Sequence, residues 1–169
     1  MQYYSGQVVK SDQIKLGSTK LNIIQRFADA SNMNNWELFG LYGMGGDGKT
    51  TLMTKVNNEF IRASKGFEIT IWVVVSRPAS VGKVQEVIRN KLDIPDNRWR
   101  NRSEDEKAVE IFNVLKAKRF VLLLDDVWER LDLQKLGVPS PNSQNKSEVI
   151  LTTRSLDVCR DIYGSSKKY

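Results

Sequence analysis

The chain has 169 residues, of which 40% are hydrophobic and 27% are charged. This length and composition are typical of one globular domain and exclude an intrinsically disordered chain. The sequence contains no histidine and one cysteine, Cys159, which excludes Ser-His-Asp and Cys-His catalysis, an ordinary zinc site and an internal disulfide. The net charge of +6 is distributed over interleaved basic and acidic residues, so no nucleic-acid partner is expected.

The sequence carries neither a membrane-span pattern nor a secretion signal. No apolar run approaches the roughly 20 residues that cross a bilayer. Residues 1–4 lack the basic start and the apolar stretch of a signal peptide. A single cysteine is also typical of a reducing compartment. We therefore expect a cytoplasmic location and no transmembrane segment.

The first half of the chain alternates strand and helix patterns. Residues 36–42 are apolar-rich and lead into glycines, which predicts a strand that enters a turn. Residues 67–75 are β-branched and nearly all apolar, as in a strand that is covered on both faces. Helical spacing of apolar residues predicts a helix after each strand. The apolar faces are Leu52, Met53, Val56, Phe60 and Ile61 in the first helix, and Val84, Val87, Ile88 and Leu92 in the second.

The second half continues the alternation. Ser103 and Glu106 have the spacing of a capping box, which predicts the start of a third helix. Residues 120–126 and 148–152 are predicted to be strands. Strands that alternate with helices indicate right-handed βαβ units, so we predict an α/β fold with a parallel sheet and helices on both faces. The apolar face of the third helix comprises Ala108, Ile111, Phe112 and Leu115.

The motif Gly43-Met44-Gly45-Gly46-Asp47-Gly48-Lys49-Thr50 carries the strongest chemical signal. It fits the phosphate-binding pattern G-x-x-x-x-G-K-[ST], and it lies between a predicted strand and a predicted helix, as that pattern requires. Glycines let the backbone approach phosphates, and the loop amides and the helix N-terminus are partly positive. We therefore predict a fold of the P-loop NTPase type that binds a purine nucleoside diphosphate or triphosphate with Mg²⁺.

Individual residues of this motif have distinct expected roles. Lys49 is predicted to contact the β- and γ-phosphates, Thr50 to ligate Mg²⁺ and Thr51 to contact the α-phosphate. The glycines that are predicted to contact nucleotide through their backbone are Gly43, Gly45, Gly46 and Gly48.

Charged residues follow two of the later strands. Asp125 is predicted to hold Mg²⁺ at the carboxyl edge of the sheet, and Asp126 to orient or deprotonate an attacking water. Arg154 is predicted to sense or stabilise charge at the γ-phosphate. Asp126 and Arg154 are therefore the candidate catalytic residues. Taken alone, each feature also fits an ordinary polar strand end or a surface arginine.

Together, four motifs resemble the nucleotide-binding region of plant disease-resistance proteins, the intracellular immune receptors of the NB-ARC, leucine-rich-repeat type. They lie at residues 40–52, 71–76, 122–128 and 152–155. The resemblance covers residues 16–163, and Trp128 after the paired aspartates is similar to the coiled-coil class of these receptors.

The resemblance implies a module that binds ADP at rest and ATP when active, with slow ATP hydrolysis as the reset. It implies that the partners are the nucleotide and other immune receptor chains or host proteins. The residues to which it assigns roles in binding or hydrolysis are Lys49, Thr50, Thr51, Asp125, Asp126 and Arg154.

The sequence departs from the family pattern at several points. Asp47 replaces an apolar residue of the P-loop, and a carboxylate beside bound phosphates is repulsive. The adenine-contacting segment of the family corresponds to residues 16–18, where Gly17 is retained but Ser18 replaces Arg or Gln. The chain ends before the fifth strand of the family, so we expect four strands with the P-loop strand as an unprotected edge, low stability and self-association.

We accordingly divide the chain into an N-terminal extension at 1–15, a nucleotide-binding subdomain at 16–163 that is incomplete at its C-terminus, and a tail at 164–169. Three functions remain open: an ADP/ATP switch module of a plant innate immune receptor, a stand-alone P-loop ATPase, and a truncated interaction fragment with weak or no nucleotide binding.

Overall fold

The computed structural model describes residues 2–5, 38–43, 46, 48–63, 66–75, 77–140, 147–155 and 157–158. Strands and helices alternate as predicted, with strand ends that differ from the predicted ends by no more than a few residues. In chain order the elements are β1 (Gln2–Ser5), β2 (Leu38–Tyr42), α1 (Lys49–Ala63), β3 (Ile69–Val74), α2 (Val81–Lys91), a 3₁₀ helix (Asp96–Arg98), α3 (Glu104–Leu115), β4 (Phe120–Val127), α4 (Leu133–Leu136) and β5 (Glu148–Thr153).

The described strands form one sheet in the order β1-β2-β5-β4-β3. Strands β2, β5, β4 and β3 are parallel, which confirms the predicted α/β fold with four parallel strands. Strand β4 is central, because Leu122 aligns with Ile71 of β3 on one side and with Val149 of β5 on the other. Every residue of β4 from Phe120 to Asp125 is buried. A strand that is bonded on both sides and covered on both faces must be apolar along its length.

Helices cover both faces of the sheet, as predicted. On one face, Val121 and Leu123 of β4 pack against α1, and on the other face Leu122 and Leu124 pack against α2 and α3. Burial of one large apolar side chain contributes about 1.5–3 kcal/mol, so these two clusters provide most of the driving force for folding. No helix in the described part of the chain is both long and apolar enough to cross a membrane.

Helix α3 begins with the capping box that the sequence predicts. The Ser103 hydroxyl accepts a hydrogen bond from the Glu106 amide at 3.3 Å, and the Glu106 carboxylate accepts one from the Ser103 amide at 2.8 Å. The backbone hydrogen bond from Ser103 is also the main cause that holds the pKa of Glu106 below its usual value. The box satisfies two amides that an α-helix leaves without internal partners.

Strand β1 covers the edge of the sheet beside the P-loop strand. Its register with β2 runs from Gln2 opposite Tyr42 to Ser5 opposite Phe39, in antiparallel orientation. The expectation that β2 forms an unprotected edge is therefore wrong, since residues from the predicted N-terminal extension supply its hydrogen-bonding partner. Strand pairing of this kind uses backbone groups alone, and the sequence pattern of residues 1–15 did not indicate it.

Removal of residues 1–5 should expose the backbone groups of β2. We expect the shortened chain to self-associate at concentrations at which the full chain is monomeric, because an unpaired strand edge is a template for pairing. Static light scattering and thermal melting will measure this. The length-matched control is a chain that keeps residues 1–5 and lacks residues 165–169. Equal scattering from both shortened chains would contradict a protective role of β1.

A second prediction concerns the contact between α3 and α4. Gly137 ends α4 with a φ of 81°, and a Cβ there would lie 2.2 Å from the carbonyl oxygen of Ala108. Gly66 has a φ of 76°, but a Cβ there would meet only the end of the Arg119 side chain, at 2.8 Å, and no backbone atom. Alanine costs roughly 1–2 kcal/mol at either left-handed position, and overpacking against backbone adds about 1–3 kcal/mol at position 137 alone.

We therefore expect Gly137→Ala to lower the free energy of unfolding by more than Gly66→Ala does, as measured by urea titration. Equal losses from the two substitutions would contradict the close approach of α4 to α3.

Candidate nucleotide-binding site

The carboxyl ends of the four parallel strands meet at one edge of the sheet. In register, Tyr42 of β2 aligns with Thr153 of β5, Leu151 aligns with Leu124 of β4, and Asp125 aligns with Val74 of β3. The ends of these strands and the segments that follow them contain the P-loop, Arg154, the paired aspartates and Arg77. Open α/β sheets bind ligands at this edge, so the predicted site residues emerge on the appropriate side of the fold.

The described part of the P-loop connects β2 to α1. The Gly43 amide donates to the Thr153 carbonyl oxygen at 3.2 Å, which holds the start of the loop against β5. Gly46 and Gly48 have φ angles of 87° and 76°, a left-handed conformation that favours glycine. The first turn of α1 contains no acidic residue, so no side chain of that turn neutralises the positive end of the helix dipole.

Lys49 lies inside the loop rather than in solvent. The residue is only 8% exposed, and its Nζ donates to the Gly43 carbonyl oxygen at 2.5 Å. The side chain therefore crosses from the first turn of α1 to the first glycine of the motif. A cation in this position faces any anion that the loop amides hold. Thr50 and Thr51 follow on the same helical turn, and both are exposed.

Asp125 connects three elements of the site. Its Oδ1 accepts a hydrogen bond from the Thr152 hydroxyl at 2.5 Å and a long one from the Thr50 hydroxyl at 3.5 Å. The residue is 2% exposed. Strand β4 thereby contacts both β5 and the first turn of α1 through one buried carboxylate. Sequence analysis identified Thr50 and Asp125 but assigned no role to Thr152, although a polar residue at the end of an apolar strand was a usable signal.

The chain changes direction at Asp126. This residue has a φ of 58°, and the pairing of β4 with β5 shifts between Leu124 and Val127, which marks a β-bulge. The Asp126 amide donates to the Thr152 hydroxyl oxygen at 2.9 Å. The Thr152 hydroxyl thus bonds to both aspartates: it donates to the Asp125 side chain and accepts from the Asp126 backbone amide. Bulges commonly redirect a side chain beside a functional site.

Arg154 contacts Asp126 near the end of β4 and Trp128, which directly follows that strand. Its Nε lies 3.9 Å from Asp126 Oδ1, and its Cζ lies 4.7 Å from the centroid of the Trp128 ring. The arginine side chain is 48% exposed, so the ion pair with Asp126 is weak. The guanidinium group is held at the carboxyl edge of the sheet and is accessible there. Both predicted catalytic residues are therefore neighbours.

The residues present fit a magnesium ion that is shared with a polyphosphate. Mg²⁺ binds oxygen ligands and usually takes one or two carboxylates, with phosphate oxygens and waters completing the octahedron. Asp125 and Thr50 offer such oxygens side by side. Within the described ranges no group of three His, Cys, Asp or Glu residues converges to form an all-protein metal site.

Several predicted residues lie outside the part of the chain that the structure describes. They are Gly17 of the adenine-contacting segment, and Gly45 and Asp47 of the P-loop. Their roles remain predictions, as do the individual roles of the residues that the structure brings together.

The sequence matches the family model of the NB-ARC domain over residues 18–169. It is 50% identical over 123 residues to Disease resistance protein SUMM2 of Arabidopsis thaliana, which is 73% of this chain and 14% of that protein. It is 49% identical over 125 residues to Disease resistance protein UNI of the same plant, covering 74% of this chain and 14% of that protein. The chain thus spans about a seventh of the length of these two relatives.

The Thr152 hydroxyl provides a test of how the site is assembled. Thr152→Val keeps the side-chain shape but removes the donor to Asp125 and the acceptor for the Asp126 amide. We expect it to lower the free energy of unfolding by about 1–3 kcal/mol, the typical effect of leaving a buried polar group unsatisfied. Denaturant titration measures this value.

Thr70→Val in β3 is the matched control, because the Thr70 side chain forms no hydrogen bond within the described residues. A loss for Thr152→Val no larger than that of the control would show that the bridge contributes nothing to stability.

Proposed function

Because the chain belongs to the NB-ARC domain family, we propose that it is the nucleotide-binding switch module of a plant immune receptor and binds ADP or ATP with Mg²⁺. The observation that carries the proposal is the contact of 3.5 Å between the Thr50 hydroxyl and the Asp125 carboxylate. It unites the first turn of the P-loop helix with the end of the central strand. The names of the relatives, all disease resistance proteins, support the biological setting.

We assign the phosphate contacts to the P-loop. The amides at the start of α1 and the Lys49 ammonium supply positive charge for the β-phosphate, which ADP and ATP share. Thr51 is assigned to the α-phosphate. The glycines allow close approach of the backbone, and their φ angles at positions 46 and 48 favour the absence of a side chain.

We assign Mg²⁺ to the oxygens of Thr50 and Asp125. The metal would neutralise phosphate charge and, in the same step, the charge of a carboxylate that is buried in the sheet edge. Burial of an unpaired carboxylate is costly, and the two hydroxyls that contact Asp125 are neutral. Metal binding would therefore stabilise the folded chain as well as the complex with the nucleotide.

We assign the reset of the switch to slow hydrolysis of ATP. Asp126 is the group that orients or deprotonates the attacking water, and Arg154 stabilises charge at the γ-phosphate. Their ion pair at 3.9 Å holds the two side chains together at the carboxyl edge of the sheet, which supports this assignment. We further propose a cytoplasmic location and, as partners, other immune receptor chains or host proteins, in keeping with the motifs of intracellular immune receptors.

Calorimetric titration with ADP and ATP, each with and without Mg²⁺, tests this function. We expect Lys49→Ala to weaken binding of both nucleotides by at least about tenfold, the equivalent of about 1.4 kcal/mol, because it removes a buried charge from the loop. Lys55→Ala is the matched control, since Lys55 is an exposed lysine on the same helix. Asp125→Asn should instead abolish only the gain in affinity that Mg²⁺ provides.

The outcomes separate the three functions that the sequence left open. Nucleotide binding that depends on Lys49, with no sustained multiple turnover, supports a switch. Sustained multiple turnover by the isolated chain would indicate a stand-alone ATPase. Absence of binding by the parent chain would indicate an interaction fragment and reject the proposal.

A further inference from the structure

Two arginines stack on one indole at the edge of the candidate site. The Cζ of Arg77 lies 3.2 Å from the centroid of the Trp128 ring, and the Cζ of Arg154 lies 4.7 Å from the same centroid. Arg77 follows β3, Trp128 follows β4 and Arg154 follows β5. The indole therefore connects arginines from the two strands that flank β4.

The backbone of the segment that carries Arg77 is hydrogen-bonded to β4 at Asp125. The Val75 amide donates to the Asp125 carbonyl oxygen at 2.9 Å, which extends the pairing of β3 with β4 to the metal-binding aspartate. Arg77 comes two residues later. Neighbouring strands lie about 4.8 Å apart. The Arg77 guanidinium, which starts from the end of β3 and reaches Trp128 after β4, is therefore displaced by one strand spacing toward the P-loop strand.

The two arginines differ in whether a carboxylate of the described residues forms a salt bridge with them. Arg154 pairs with Asp126 at 3.9 Å, whereas no salt bridge among the described residues includes Arg77. The exposed Arg77 guanidinium is held by contact with the aromatic ring. A guanidinium group on a partly exposed ring is bound weakly and remains able to form bidentate hydrogen bonds with a phosphate. Among the residues that the structure describes, the carboxyl edge thus holds a cation without a carboxylate partner, in a position where the P-loop alone does not need one.

We propose that Arg77 is a second arginine for the terminal phosphate, and that Trp128 is the positioning residue that holds Arg77 and Arg154 on the site. This inference rests on the proposed nucleotide-binding function and adds a determinant of specificity for a triphosphate over a diphosphate. The γ-phosphate brings additional negative charge and three acceptor oxygens. It relieves the repulsion between two guanidinium groups that share one ring, and a diphosphate leaves that repulsion in place.

The test compares affinities for ADP and for a non-hydrolysable ATP analogue, both with Mg²⁺, using the whole chain. We expect Arg77→Gln to lower affinity for the triphosphate by about tenfold, the size expected for the loss of a charged hydrogen bond, with affinity for ADP unchanged within about twofold. Arg62→Gln is the matched control, because Arg62 is an exposed arginine in the last turn of α1, far from the P-loop end of that helix.

Trp128 is tested by its conservative variant. Trp128→Leu should reduce the ratio of triphosphate to diphosphate affinity, and Trp128→Phe should restore much of it, because the ring and not the bulk of the side chain positions the arginines. The Arg77→Gln/Trp128→Leu double variant should lose less than the sum of the single losses, since both act through one contact.

Each result is distinguishable from a failure of the proposed function. Binding of ADP that requires Lys49 but a ratio of affinities that Arg77→Gln leaves unchanged would overturn the role of Arg77 and leave the nucleotide site intact. An equal loss for both nucleotides would also overturn it, since that pattern belongs to a β-phosphate contact. If the parent chain binds neither nucleotide, both proposals are rejected together.

Discussion

The hydrogen bond of 2.5 Å from the Thr152 hydroxyl to the Asp125 carboxylate is the contact on which the arrangement of the site depends. It holds the carboxylate in a fixed direction at the end of a strand that is apolar from Phe120 to Leu124. A buried carboxylate is tolerated only with donors or a cation around it, and the described partners are neutral hydroxyls. The sheet is therefore built with a charge that a bound cation would satisfy, so binding of metal and nucleotide should also stabilise the fold by mass action.

The bulge after Leu124 explains how adjacent aspartates serve different purposes. In a regular strand, successive side chains point to opposite faces, and one of the two would be directed under a covering helix. The left-handed conformation of Asp126 removes that conflict. Asp125 contacts Thr50 and Thr152, and Asp126 pairs with Arg154. A non-glycine residue at this φ is strained by roughly 1–3 kcal/mol, and the bond from its amide to Thr152 helps to maintain it.

The sequence was sufficient for the features that depend on local pattern. Apolar runs, glycine placement and the Ser103 capping box predicted the parallel strands and the helix starts. Helical spacing overestimated the buried faces, because Ile61, Val87 and Phe112 are on the margins of their helices and are exposed. Features that depend on contacts between distant segments were missed: the pairing of β1 with β2, the bridging role of Thr152 and the stacking of Arg77 on Trp128. No periodicity encodes these contacts, since each joins single residues or short backbone segments across the sheet.

A nucleotide can shift a conformational equilibrium only through contacts that differ between its diphosphate and triphosphate forms. In the proposed site, the loop amides and Lys49 would face the phosphates that both forms share, and they would provide affinity but little discrimination. The groups at the far side of Asp125 are the ones that a third phosphate would meet. There the described chain has two arginines on one indole, one of them paired with Asp126 and the other uncompensated by a described carboxylate. Under the proposed function, the free energy that distinguishes the two nucleotide states would arise mainly at the ends of β3, β4 and β5, while the P-loop would supply the binding on which that distinction acts.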